Sequence, residues 1–206
     1  MIKRRHLLKQ VLSLSLGIAV IVAASLPASA GKFAGEPKDF IADLGDRAIR
    51  TLADTSVGDS SRRMQFRELF LDGFDVRSLS RYAIGRYWRK ASRAQRDEYL
   101  RLFTDFIVNT YAARFGQYSG EKLVVTGERS VKGKDTIVHS DIIRPDGAPV
   151  RVDWRVRKRD DEFKVVDIIV EGVSMAITQR EEFSSVIRHH GGEVDGLIQE
   201  LKSKTE

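Results

Sequence analysis

The segment Gly172-Val173-Ser174-Met175-Ala176 places a serine between an apolar run and a helical pattern. That is the setting of a nucleophile elbow, G-x-S-x-G, in which a sharp strand-to-helix turn presents a serine for acyl transfer. Its fifth position is Ala176, however, and both downstream histidines precede Asp195 instead of following it. The same serine stands where a helix N-cap belongs, and capping is the role expected of it. Metal chemistry has as little to work with. The histidines are His6, His139, His189 and His190, and the adjacent pair projects about 100° apart on a helix, which does not suit a shared ion. No H-E-x-x-H and no aspartate-rich calcium loop occurs. The absence of cysteine removes disulfides, thiol catalysis and cysteine-type zinc sites. Gly191-Gly192 lacks the Lys-Ser/Thr of a phosphate loop. The carboxylate pairs Asp160-Asp161 and Glu181-Glu182 have polar neighbours, which give no reason for a raised pKa. No catalytic residue, metal ligand or cofactor site is expected.

Basic residues do cluster. Arg77, Arg81, Arg86, Arg89, Lys90, Arg93 and Arg96 form one stretch, interleaved with Tyr82, Tyr87 and Trp88; Arg151, Arg155, Arg157, Lys158 and Arg159 form another. Such runs suit a solvated face, an anionic membrane or lipid head groups, or nucleic acid. The charge balance weakens the last. The 206 residues carry a net of +6, but residues 1–30 hold four of the 35 basic residues and none of the 29 acids, so residues 31–206 carry 31 against 29, a net of +2.

That N-terminal stretch has its own pattern. Lys3, Arg4, Arg5 and Lys9 precede an apolar run from Val11 to about Leu26, which closes on Ala28-Ser29-Ala30. This is the layout of a secretory signal peptide, with cleavage before Gly31; the alternative is a retained membrane anchor, for which the run is short. The expected organisation is a cleaved leader, 1–30, and a single domain, 31–206, outside the cytoplasm.

Residues 31–206 divide into a helical first half and a strand-rich second half. Pro37 opens a first helix to about Thr55, with Phe40, Ile41, Leu44, Ala48, Ile49 and Leu52 at helical spacing. A second is expected from about Ser60 to Phe70 or Phe74, and a short third capped by Asp75 and ending near Gly85. Ser92-Arg93-Ala94-Gln95 fits a capping box for the longest helix, whose stripe of Tyr99, Leu102, Phe103, Phe106, Ile107, Tyr111, Phe115 and Tyr118 ends at Gly120. The period then changes to two. Strands are expected at Lys122–Ser130 and Thr136–Arg144, then at Val150-Val152-Trp154-Val156 alternating with charged residues, then at Phe163–Val173, apolar on both faces and so expected at the centre. Helices from about Ser174 to His189, and one containing Val194, Leu197, Ile198 and Leu201, complete the chain. The fold class expected is α+β, with helices on one face of a curved, mainly antiparallel four-stranded sheet. The stripe of the long helix is expected to face Val152, Trp154, Val166 and Ile168, either as solid core or as the wall of an apolar pocket.

Several segments resemble the toluene-tolerance (MlaC) family of periplasmic phospholipid-binding proteins: Phe74-Asp75-Val76-Arg77 through Trp88, Ala94-Gln95-Arg96 through Glu121, Val150–Trp154, Gly196–Lys202, and above all Glu171-Gly172-Val173-Ser174-Met175. The resemblance covers nearly all of residues 31–206. It implies a cone-like pocket between sheet and helices that takes both acyl chains of a phospholipid, with no enzymatic activity and no cofactor. The lining expected on this basis is Tyr87, Trp88, Tyr99, Phe103, Phe106, Ile107, Tyr111, Val138, Ile142, Val152, Trp154, Val166, Ile168 and Met175. It also implies partners: an inner-membrane ABC transporter with an MCE-domain subunit and an outer-membrane lipoprotein–porin complex, between which a periplasmic carrier maintains outer-membrane lipid asymmetry. A hopanoid-associated subgroup and an enzyme on a similar cone-shaped fold are the alternatives.

Overall fold

The computed structural model describes residues 35–54, 56–112, 118–131 and 133–205. The expected leader, residues 1–30, and the part of the long helix around Phe115 lie outside the described residues. Helices α1 (Pro37–Ala53), α2 (Asp59–Gly73), α3 (Val76–Ile84), α4 (Tyr87–Lys90) and α5 (Arg93–Ala112) precede strands β1 (Lys122–Ser130), β2 (Asp135–Ile143), β3 (Val150–Arg159), β4 (Glu162–Val170) and β5 (Val173–Ser174), and helices α6 (Met175–His189) and α7 (Val194–Thr205) follow.

The boundaries follow from local chemistry. Asp75 accepts the Ser78 N–H at 2.9 Å and starts α3, which stops at Gly85 with φ +50°. At α5 the capping box is reciprocal: the Gln95 N–H donates to Ser92 Oγ at 3.2 Å and the Ser92 N–H to Gln95 Oε1 at 2.8 Å. Asp160 and Asp161, with φ of 45° and 64°, form the two-residue turn between β3 and β4, a geometry whose twist matches that of the strands.

The strands lie in the order β1-β2-β3-β4-β5 and pair antiparallel. The α+β class holds, with three differences in detail. A fifth strand, two residues long, is added beyond the expected four, and the turn of helix α4 was not expected. β4 is not central but next to the edge. Its apolar character has another cause: its free edge is covered, since Phe74 bridges to Val165 and the Asp75 N–H donates to the Val165 carbonyl at 3.0 Å. Third, α5 does not lie across the sheet. It packs mainly on α7 and α2, while α1 lies across β1 and β2, and α2, α3 and α6 reach β4.

The apolar interior is accordingly two clusters. A helical core gathers Ile84, Tyr87, Tyr99, Leu102, Phe103, Phe183, Ile187, Leu197 and Leu201. A sheet core gathers Phe40, Ile41, Leu44 and Leu69 on Val138, Val156, Phe163 and Val165. Phe74 touches both. Glycines permit the close approaches around the sheet core: a Cβ at Gly45 would collide with Leu123, and one at Gly73 would lie 2.6 Å from Leu44. Among the described residues, no helix is long and apolar enough to cross a membrane.

Candidate functional site

Ser174 behaves as a cap. Its Oγ accepts the Ile177 N–H at 3.1 Å and donates to Asp167 Oδ2 at 2.6 Å, and Asp167 Oδ1 accepts the Ala176 N–H at 3.0 Å. The hydroxyl and carboxylate thus satisfy the first turn of α6. Among the described residues no imidazole is close. Ser174 pairs with Ile169, Ile169 with Asp153 and Asp153 with His139, so His139 is three strands away, about 14 Å at sheet spacing. His189 and His190 lie at the far end of α6, about 22 Å along the helix, where each ring meets a carbonyl four residues back at 2.9 Å.

The titratable groups that do cluster belong to the outer face of the sheet. Asp135 accepts from Arg157 Nε at 2.7 Å and Arg155 Nε at 2.8 Å. The Arg157 hydrogen bonds hold its carboxyl below the usual range, against the opposing effect of burial. Burial likewise pushes Asp153 up, but bonds from His139 (2.8 Å) and Arg151 outweigh it and hold that carboxyl low. Asp135 and Asp153 are thus carboxylates held by hydrogen bonds from neighbouring side chains on the outer face of the sheet.

The helical core holds a cluster of rings. Phe183 meets Tyr99 at 6.3 Å, Phe103 at 6.3 Å and Phe106 at 5.9 Å between centroids, two of the three edge-on. Tyr99 is 0% exposed and donates its hydroxyl to the Ser80 carbonyl at 2.9 Å; burial pushes its phenol pKa well up. Tyr87 and Phe103 are buried beside it, whereas Trp88, Phe106 and Ile107 sit partly exposed at the margin. Tyr111, at 40% exposure, touches this group only through the Phe66 ring, 6.3 Å away.

The inner face of the sheet holds the other half of the expected lining. Register aligns Val138, Trp154 and Ile168 in one row and Ser140, Val152 and Val170 in the next. Val138 and Val152 are buried; Trp154, Ile168, Ile142 and Met175 are half-buried. Val166 is the extra residue of a β-bulge, since Arg155 pairs with Asp167 and Val156 with Val165. The lining residues therefore fall mainly into two apolar clusters, which have Phe74 in common at their margins.

Sequence reasoning passed over three residues that organise this region. Ser140 is 1% exposed, accepts the Trp154 Nε1–H at 2.9 Å and donates to the Val152 carbonyl at 2.8 Å. Its signal was a polar residue at an inward position of an alternating strand. Phe74 and Phe183 gave only the weaker signal of one more aromatic at helical spacing.

Three surface clefts accompany these cores. One of about 600 Å³ is lined by Lys134, Asp135, Arg155, Arg157, Lys158 and Arg159; one of about 310 Å³ lies between α1 and α2; one of about 380 Å³ lies between α3 and α6. None of the three is lined by the expected acyl-chain residues.

Known proteins share both sequence and architecture with this chain. Residues 42–203 match the family described as MlaC protein. The intermembrane phospholipid transport system binding protein MlaC of Haemophilus influenzae is 27% identical over 123 residues, 58% of this chain and 56% of that protein. The toluene tolerance protein ttg2D of Pseudomonas putida is 23% identical over 113 residues, 55% and 53% of the two chains. The aligned region spans about half the length of these curated relatives. In solved structures, the phospholipid-binding protein of Ralstonia solanacearum, determined with a bound phospholipid, superposes with a TM-score of 0.74 at 23% identity, covering 83% of this chain and 97% of that one; at that identity the match establishes the fold.

Proposed function

Since the chain belongs to the MlaC protein family, we propose that it is a phospholipid carrier without chemistry of its own, which takes both acyl chains of one lipid along the seam between its two apolar cores. The observation that carries this is the state of the side chains at that seam. Phe66, Phe74, Trp88, Phe106 and Ile107 at the margin of the helical core, and Trp154 and Ile168 at the margin of the sheet core, are only partly buried although a complete core stands behind each. Each CH₂ taken from water contributes about 0.8 kcal/mol, so two acyl chains laid along these residues would complete both cores at once. Tyr87, Tyr99 and Phe103, already enclosed, then support the wall from behind. The relatives' names support phospholipid as the cargo.

On this reading residues 1–30 direct export and are removed, residues 31–206 work as one domain in the periplasm, and the carrier moves lipid between an inner-membrane ABC transporter with an MCE-domain subunit and an outer-membrane lipoprotein–porin complex. The experiment is native mass spectrometry of the exported protein. A mature mass beginning near Gly31 with one phospholipid bound is the expected result. Ligand-free protein that takes up no labelled phospholipid from vesicles would overturn the carrier reading, and a bound hopanoid would change the cargo.

A further inference from the structure

We infer that the exposed face formed by α3, α6 and the short strand β5 that leads into α6 is a membrane-contact surface, which inserts Val173 and Ile177 at the boundary between the head groups and acyl chains of an anionic phospholipid membrane. Scattered exposed apolar residues are ordinary, but these are not scattered. Val173 (53%), Ile177 (49%) and Tyr82 (40%) are three of the eight large apolar side chains most exposed among the described residues. Tyr82 and Ile177 line one shallow cleft with Arg180 and Arg188.

The cations around them are without acid partners. Elsewhere Arg47, Arg67, Arg151, Arg155, Arg157 and Arg159 each meet a carboxylate. Arg180 and Arg188, the two cations of this cleft, form no such pair among the described residues, and Glu181 is the acid lining it. Arg180 is nonetheless held in place: its guanidinium lies 4.9 Å from the Tyr82 ring centre and packs over Gly85, where a Cβ would come within 3.1 Å of it.

Aliphatic tips, a tyrosine and unpaired arginines on one helix pair are the composition of an interfacial anchor, in which the apolar tips enter the acyl boundary while ring and guanidinium stay among the phosphates. The larger basic cleft on the sheet offers a contrast. Arg155 and Arg157 are already bound to Asp135 there, and none of the residues lining it is apolar.

This deepens the carrier reading by naming the surface through which lipid would be approached, and it can fail separately. The mature protein is co-sedimented with vesicles of phosphatidylcholine alone and of phosphatidylcholine with a third phosphatidylglycerol, at low and high salt. Binding is expected to the anionic vesicles only and to fall with salt. Arg180→Glu/Arg188→Glu and Val173→Asp/Ile177→Asp are each expected to lower the bound fraction about tenfold or more, with the melting temperature and the phospholipid content by native mass spectrometry unchanged. Wild-type protein that ignores anionic vesicles, or double variants that bind like wild type, would overturn this surface. If phospholipid still co-purifies in that case, the carrier reading stands and a protein partner takes the membrane's place.

Discussion

In the helical core Tyr99, Phe103 and Phe183 close around one another, and the Tyr99 phenol finds its acceptor in the Ser80 carbonyl on α3. On the inner face of the sheet the largest ring, Trp154, stays partly accessible and finds its acceptor in Ser140, a buried polar residue on the neighbouring strand. The first core is complete by itself. The second buries Val138, Val156, Phe163 and Val165 and keeps Trp154 and Ile168 partly buried at its margin. Trp154 and Ile168, only partly buried, leave some burial energy unrealised, the margin that the proposed acyl chains would use.

Substitutions can break this contrast. Tyr99→Ala should have the largest effect: a ring with no exposure is lost, and about 3–5 kcal/mol of stability should disappear in denaturant unfolding. Phospholipid content should persist in whatever fraction stays folded. Trp154→Ala should destabilise by about 2 kcal/mol, since the ring is only partly buried and one hydrogen bond is lost, yet bound phospholipid should fall sharply in native mass spectra. Reversed outcomes, with lipid lost from the Tyr99 variant and kept by the Trp154 variant, would move the acyl chains into the helical core.

The outer face of the sheet sharpens the contrast further, because charge holds it. The Asp135 carboxyl titrates below its unfolded value of about 3.9, so its stabilising contribution is present above that value and lost as pH falls through the lower folded-state one. Asp135→Asn should therefore cost about 1–2 kcal/mol at pH 7, kept small because both arginines are partly solvated. The difference from wild type should shrink as pH falls through the lowered folded-state value, as measured by unfolding across the pH range. The Tyr99 and Trp154 effects should show no such acid dependence.

Element identity was legible in the sequence wherever a local rule sufficed. The Ser92–Gln95 capping box, the Asp75 and Ser174 caps and Pro37 at a helix start all appear as read, because each is decided within four residues by the local chain. The alternation of Val152, Trp154 and Val156 likewise named the inward face of β3, since side chains alternate across any strand. The cap role expected of Ser174 is the one its hydroxyl plays in the structure.

What faces what was decided only by the tertiary structure. The stripe on α5 announces an apolar partner but not which one; Leu102 or Phe103 could pack equally well on a sheet or on α7, because hydrophobic burial is not directional. Nor does an apolar strand say whether its neighbour is another strand or a helix edge, which is why β4 reads as central and lies beside Phe74 and β5. The division into two cores, and the partly covered side chains between them, arise from contacts between residues far apart in the chain, such as Trp154 with Ser140 and Phe74 with Val165. Composition and spacing report how much apolar surface there is to bury. Only the packing decides how much of it stays partly exposed at the margins of the two cores.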